Sequence, residues 1–156
     1  MSQRLSVQRP RWLAPVSLTL ALIGLIAAGY LSYEHATENA SLYCPTGGPS
    51  SSCLTVTTST WSTVLGIPVA YLGLVFFLAM TILCLPRIWR LPDPRLDTAR
   101  LVALGVGLLT ALYLIWAELF QIHAICTWCT VVHVATFLLL AVVAVGQILS
   151  VRTLSS

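Results

Sequence analysis

The chain contains no lysine, and charged residues of any kind are scarce. Only 8% of its 156 residues are charged, whereas 58% are hydrophobic. A soluble domain of this size does not need so much apolar material, so the composition excludes a soluble globular protein and predicts an integral membrane protein. The net charge of +3 comes from eight arginines. We interpret them as topology signals rather than as a nucleic-acid-binding surface, and we expect no nucleic-acid partner.

Four apolar runs are long enough to predict an all-α protein with four transmembrane helices. The spans are expected at about residues 13–33, 64–85, 101–122 and 126–149. They make up a predicted membrane domain over residues 13–150, with short tails at 1–12 and 151–156. The first run is longer than the ~7–15 apolar residues of a signal peptide, so we favour an uncleaved span over a cleaved leader.

The arginines occur in alternate connections. All eight lie in the N-terminal tail, in the loop at 86–100 or at the C-terminus, and none lies in the loop at 34–63 or just before the fourth span. Because cytoplasmic segments are enriched in arginine and lysine, both termini of this multi-pass protein are expected in the cytoplasm. The two cysteines of the first loop and the two that open the fourth span then face the periplasm or the exterior, where disulfides persist.

Glycine, proline and serine predict the local structure of the connections. The loop at 34–63 is expected to consist of turns, without a helix or strand. Gly66-Ile67-Pro68 after it marks a helix start, since proline is tolerated in the first helical turn. The three prolines within 86–100 are expected to break any continuous helix. Cys84, near the end of the second span, is expected to be a buried packing residue.

Cys126-Thr127-Trp128-Cys129 is a C-x-x-C pair that opens the fourth apolar run. It is expected at the first turn of a helix, where free N–H groups and the positive end of the helix dipole favour a thiolate. Residues three apart share a helix face, so both sulfur atoms can point the same way. His133 lies one further turn along that face.

Three interpretations of the four outward cysteines are open on these residues alone. In the first, the inner pair (Cys126 and Cys129) and the loop pair (Cys44 and Cys53) are redox pairs in series, exchanging through a mixed disulfide. In the second, all four bind zinc, although eight residues separate Cys44 from Cys53 and structural zinc sites typically use about two to four. In the third, both pairs are structural disulfides of a non-enzymatic tetraspan scaffold. We favour the first, because a C-x-x-C disulfide is strained and reducible, and the spacing of the loop pair leads us to expect no metal site.

Several motifs occur in a set order along the chain. They are Gly29-Tyr30-Leu31-Ser32-Tyr33, Cys44 with Cys53, Ser59 with Trp61, Gly66-Ile67-Pro68-Val69-Ala70-Tyr71-Leu72-Gly73, Tyr113-Leu114-Ile115-Trp116, Glu118-Leu119-Phe120 and His123-Ala124-Ile125-Cys126-Thr127-Trp128-Cys129. Taken together, roughly from Leu20 to Leu140, they resemble the bacterial homologues of vitamin K epoxide reductase (VKOR). That family consists of four-helix membrane oxidoreductases.

The resemblance implies an all-α four-transmembrane-helix bundle around a quinone, with an outward capping loop between helices 1 and 2. It implies that Cys129 faces the quinone and that its partner Cys126 exchanges with Cys53. Cys44 would meet the external protein substrate. Ser59 would support the quinone site by hydrogen bonding. The implied location is the cell inner (cytoplasmic) membrane, in contact with membrane lipid.

Three features of the chain shape these expectations. It ends at Ser156 without the thioredoxin-like domain that many bacterial members carry, so a separate thioredoxin-fold (DsbA-like) partner is expected. His133 and Val69 stand where the animal enzymes have a tyrosine and an asparagine, so the expected quinone is ubiquinone or menaquinone rather than vitamin K epoxide. A DsbB-type oxidase is the alternative within the class, but its C-x-x-C precedes the spaced pair, whereas here it follows.

Two polar residues within the predicted spans are further candidates for the site. His133 would be costly in a bilayer without a partner, so it either serves the quinone, by a hydrogen bond or proton relay, or bonds a helix carbonyl as a neutral packing residue. Glu118 is expected to pair with His123 or His35, either aiding proton release or forming a structural hydrogen bond.

The expected function is oxidation of the thioredoxin-fold partner, which supports disulfide formation in exported proteins. The cytoplasmic side offers no cysteine pair that could import electrons.

Overall fold

The structure is a computed structural model that describes residues 9–37, 51–91 and 93–152. Cys44, the first eight residues and the last four lie outside the described residues, so the predictions that fall on them stay predictions.

Helices form nearly all of the described chain. They are α1 (Leu13–Ala36), α2 (Ser51–Thr57), α3 (Val69–Leu83), α4 (Pro86–Trp89), α5 (Pro94–Trp116) and α6 (Thr127–Arg152). A 3₁₀ turn at Thr60–Ser62 follows α2, and a π-helical turn at Ala117–Ile122 continues α5.

Three of these segments are long and apolar enough to cross a membrane. They are Leu13–Ala36, Pro94–Ile122 and Thr127–Ser150. The predicted all-α membrane protein is therefore confirmed. Helix α3 is apolar but has only 15 residues, which rise about 22 Å at 1.5 Å per residue, less than the roughly 30 Å of a hydrocarbon core. The fourth crossing stays a prediction.

Helix α1 lies at the centre of the packing, with its largest contacts on α6 and α3. Two glycines permit the close approach of these helices. A Cβ atom on Gly24 would overlap the ring of Phe77, and one on Gly146 would overlap the side chain of Leu13. Small residues at such crossings let membrane helices pack through van der Waals contact, since lipid offers no hydrophobic force between them.

The loop between the first two long helices is more regular than expected. Its described part forms α2, the 3₁₀ turn and a two-stranded hairpin, β1 (Thr63–Val64) with β2 (Ile67–Pro68), so the prediction of turns alone is wrong there. The residues that suggested turns instead close the ends of short elements. The Thr57 hydroxyl donates to the Cys53 carbonyl at 2.9 Å and the Ser59 hydroxyl to the Val56 carbonyl at 2.8 Å.

Prolines set the starts of three helices. Helix α3 begins directly after Pro68, and α4 and α5 each begin at a proline. The basic loop does break the helix, but α5 starts at Pro94, well before the span predicted from residue 101. Proline suits a first helical turn, because its missing N–H would have no partner there. Asp93 caps α5 by accepting the Arg95 N–H at 2.9 Å.

The start of α5 belongs to a buried polar cluster that we name the arginine end: Arg9, Leu83, Trp89, Asp97 and Arg100. Arg100 is fully buried; its guanidinium donates to the Leu83 carbonyl at 2.9 and 2.8 Å and to Asp97 at 2.6 Å. Arg9 binds the same carboxylate at 3.0 and 2.8 Å. Both guanidiniums lie over the Trp89 ring, Arg100 at 3.7 Å and Arg9 at 5.1 Å from its centroid. Trp89 is thus a buried packing residue.

Candidate redox site

The inner pair lies at the start of α6. Cys126 directly precedes the helix and Cys129 is in its first turn. The backbone N–H of Cys129 donates to the Cys126 sulfur at 3.3 Å, and the Thr130 N–H and hydroxyl both donate to the Cys126 carbonyl, at 2.9 and 3.0 Å. The Cys126 sulfur therefore occupies the position of an N-cap oxygen, which ordinarily satisfies a free N–H of the first turn.

These donors favour the thiolate of Cys126. The hydrogen bond with the Cys129 side chain, together with backbone N–H groups of the first turn, lowers the pKa of the Cys126 thiol below its ordinary value. The shift persists although Cys126 is 0% exposed and burial alone acts in the opposite direction. A thiolate is the species that attacks disulfides, so Cys126 is suited to exchange.

Cys53 is packed in the same cluster as Cys126. Both side chains are fully buried, together with Leu31 and Val56. We name the part of the bundle that contains Cys53, Glu118, Cys126, Cys129 and His133 the redox end. Cys53 is disulfide-bonded, whereas Cys84, Cys126 and Cys129 are free thiols. A disulfide sulfur cannot be a thiolate ligand, so in this state Cys53 supplies nothing to the four-cysteine zinc site considered above.

A cavity of about 370 Å³ lies beside the inner pair. Ligand pockets of proteins are typically ~300–1,000 Å³, mostly apolar with a few polar groups. Apolar side chains from α1, α3, α5 and α6 form most of its wall, and the polar residues that line it include Ser59, Glu118, Cys129 and His133. Three residues predicted to meet the quinone, namely Ser59, Cys129 and His133, are thus brought to one cavity. Their roles toward a quinone stay predictions.

The two predicted quinone residues outside the inner pair reach the cavity in different ways. Ser59 follows α2, where its hydroxyl donates to the Val56 carbonyl. His133 is buried one turn beyond Cys129 on α6. These two polar groups therefore come from different elements, the connection after α2 and helix α6.

Glu118 is the residue whose surroundings the sequence predicted least well. It was expected to pair with His123 or His35, but its carboxylate reaches the backbone N–H of Cys126 and the thiol of Cys129. A carboxylate inside an apolar span was the available signal. The π-helical turn that directs it toward the thiols left no trace in the hydrophobic pattern.

Two aromatic pairs enclose this region. Trp128, inside the C-x-x-C motif, packs against Tyr30 with ring centroids 4.8 Å apart, and Trp61 packs edge-to-face on Trp116 at 5.7 Å. Trp61 also lines the cavity. Cys84 lies elsewhere, buried in the cluster that includes Leu13 and Met80, where it acts as a packing residue.

A comparison with known families agrees with this geometry. The sequence model of the vitamin K epoxide reductase family matches residues 15–144, which is close to the range over which the motifs resemble that family. Members of that family are oxidoreductases associated with quinones and thioredoxin-like partners. This chain belongs to the vitamin K epoxide reductase family and is a membrane oxidoreductase.

Proposed function

We propose that this protein is a membrane thiol:quinone oxidoreductase. It oxidises a separate thioredoxin-fold (DsbA-like) protein, passes the electrons to ubiquinone or menaquinone, and so supports disulfide formation in exported proteins. The observation that carries the proposal is the cavity, because Cys129 lines its wall while Cys126, the other cysteine of the inner pair, packs in one cluster with Cys53.

The residues that line the cavity fit a quinone. Its wall is mostly apolar, as a quinone ring and tail require, and Ser59 and His133 offer polar groups for the ring oxygens. A quinone bound there would act as the two-electron acceptor. Ser59, His133 and Cys129 hold and orient it, and the surrounding apolar side chains exclude water.

The inner pair connects this cavity to the loop pair. In the proposed relay, the partner's two thiols reduce the Cys44–Cys53 disulfide, so the partner gains a disulfide. The Cys53 thiolate then attacks the Cys126 sulfur of the oxidised inner pair and releases Cys129 as a thiolate. Cys44 resolves the mixed disulfide, which restores the loop disulfide and leaves the inner pair reduced. The burial of Cys53 and Cys126 in one cluster supports this route.

We further propose that α3 is the fourth crossing, with the segment that contains α2 and the hairpin capping the cavity on the outward side. The arginine end and the inner pair lie at opposite ends of α6. The inner pair is at the start of that helix, whereas Gln147, near its end, donates to the Asp97 carbonyl of the arginine end at 3.4 Å. The arginine end then faces the cytoplasm, with both termini, and the four redox cysteines face outward.

The test is quinone-dependent oxidation of a reduced thioredoxin-fold protein by the purified enzyme, followed as quinol formation. We expect one disulfide formed for each quinol. The Cys44→Ala variant should lose this activity, and Cys84→Ala should keep it. In cells, deletion of the gene should leave exported proteins with free thiols. Over-oxidised exported proteins would instead identify a reductase and contradict the proposal.

A further inference from the structure

Glu118 is buried without an ionic partner. Its side chain is only 5% exposed, and neither ion pair within the described part of the chain involves it. The other buried charge, that of Arg100, is satisfied by Asp97 and by a helix-terminal carbonyl. Burying a carboxylate costs free energy unless hydrogen bonds or an opposite charge offset the loss of hydration. The contacts of Glu118 therefore indicate what stabilises its carboxylate in this position.

Those contacts lead to the inner pair. The carboxylate reaches the backbone N–H of Cys126 and the thiol of Cys129. It is fixed there by its own backbone, because the Glu118 carbonyl accepts the N–H groups of His123 and Ala124, the latter at 3.3 Å. His123 closes the π-helical turn in a left-handed conformation with φ 53°. Such π turns are rare and are frequent at functional sites.

The same carboxylate lines the cavity beside Cys129. Among the described residues of its wall, the other titratable groups are His133 on α6 and His35 on α1. His133 lies one turn deeper along α6, and His35 is exposed. Glu118 and Cys129 therefore share one wall of the cavity proposed to bind the electron acceptor.

We propose that Glu118 is a catalytic residue whose carboxylate takes the proton of the Cys129 thiol as the inner pair is oxidised and passes it into the cavity. The proposal rests on the proposed quinone-reducing function of this site. Oxidation of the Cys126 thiolate and the Cys129 thiol joins the two sulfur atoms and releases two electrons and one proton, and Glu118 takes up that proton. A quinone bound in the cavity would accept the two electrons, this proton and a second proton from water.

Glu118→Gln tests the role, because glutamine keeps the shape and can still accept the Cys126 N–H but cannot take up a proton. General bases contribute roughly 10²–10⁴-fold, so we expect quinol formation to fall about 100-fold. Glu34→Gln is the matched control, since it removes another carboxylate outside the cavity wall and should change nothing. If the wild-type protein reduces quinone and Glu118→Gln does so equally fast, the role of Glu118 is excluded while the proposed function stands. If the wild-type protein reduces no quinone, the proposed function itself fails.

A second measurement needs no quinone. In a background where Cys44, Cys53 and Cys84 are serine, thiolate ultraviolet absorbance is titrated with pH. The Glu118 carboxylate raises the pKa of Cys126, so Glu118→Gln should move the first ionisation to lower pH. A slow variant with an unchanged titration would show that Glu118 only positions the pair, which would overturn the proposal.

If the Glu118→Gln variant does not fold, the Glu118→Asp variant, which keeps a carboxylate, is used in its place. Redox-difference infrared spectra of the wild-type and Glu118→Asp proteins should then contain a carboxylic-acid band that appears on chemical oxidation of the inner pair and differs in frequency between the two. Spectra without such a band would overturn the proposal.

Discussion

The redox end and the arginine end of this bundle both bury polar groups, but they do so in opposite ways. At the arginine end every strong donor has a close acceptor: Arg100 is held by Asp97 and the Leu83 carbonyl. At the redox end Glu118, Cys129 and His133 face a cavity of about 370 Å³. A satisfied cluster stabilises one arrangement, whereas polar groups that face a cavity are available to a ligand. The contrast separates the part that holds the bundle together from the part proposed to react.

The sharpest test of the reactive end is Cys129→Ser. We expect complete loss of quinol formation and accumulation of a Cys53–Cys126 mixed disulfide, because the serine cannot displace Cys53 from the Cys126 sulfur. Peptide mapping under non-reducing conditions would identify the linked peptides. Cys84→Ala, the matched control at a buried cysteine outside the site, should trap nothing. A Cys44–Cys126 link alone would contradict the assignment of Cys53.

At the opposite end, Arg100→Gln should destabilise the protein without touching the chemistry. Asp97 keeps its ion pair with Arg9 in this variant, so the main loss is at the Leu83 carbonyl, which no longer has its donors. Leaving a buried acceptor unsatisfied costs about 1–3 kcal/mol. The free energy of unfolding in detergent should fall by that order, while the Michaelis constant for quinone stays constant. Arg95→Gln, on the same helix but exposed, is the control. A raised Michaelis constant in Arg100→Gln would show that the two ends are coupled.

His133→Ala should weaken quinone use by about tenfold, the equivalent of one hydrogen bond of ~1–1.5 kcal/mol. Exchange between the two cysteine pairs should continue at the wild-type rate. Steady-state kinetics with varied quinone would measure the first, and quenched-flow mapping of disulfides the second. Val134→Ala, the exposed neighbour on α6, should leave both unchanged. Unaltered quinone kinetics in His133→Ala would assign the histidine to packing.

The smallest effect is expected at the hairpin turn of the redox end. Leu65 is 98% exposed and has φ 53°, a left-handed conformation that asparagine adopts more readily than leucine. Leu65→Asn should therefore raise the free energy of unfolding by about 0.5 kcal/mol. Leu65→Ala removes the same exposed side chain without favouring that conformation, so it should give no gain. Equal stabilisation by both variants would point to exposure rather than to backbone strain.

The sequence predicted the parts of this molecule that depend on local pattern. Apolar runs placed α1, α5 and α6, and the C-x-x-C motif placed Cys126 at a helix start, because both follow from residues close in the chain. Helix α2 was missed, since its stability comes from the burial of Cys53 and Val56 against distant helices.

The features that were missed at the two ends share one cause. The burial of Arg100 depends on a carbonyl seventeen residues earlier, and the contact of Glu118 with the thiols depends on a π turn. Neither feature can be predicted from composition. Tertiary contacts, rather than local propensities, determine where the Arg100 and Glu118 side chains are buried.

The complete burial of Cys126 has a consequence for the flow of electrons. Small thiols dissolved in the surrounding water have no path to its sulfur, so in the proposed relay they cannot take the place of Cys53 in exchange with Cys126. Electrons would then reach Cys126 through the loop cysteines, which admits a protein partner that can dock there. Steric shielding of one sulfur, rather than an extreme redox potential, would select the reductant of this step.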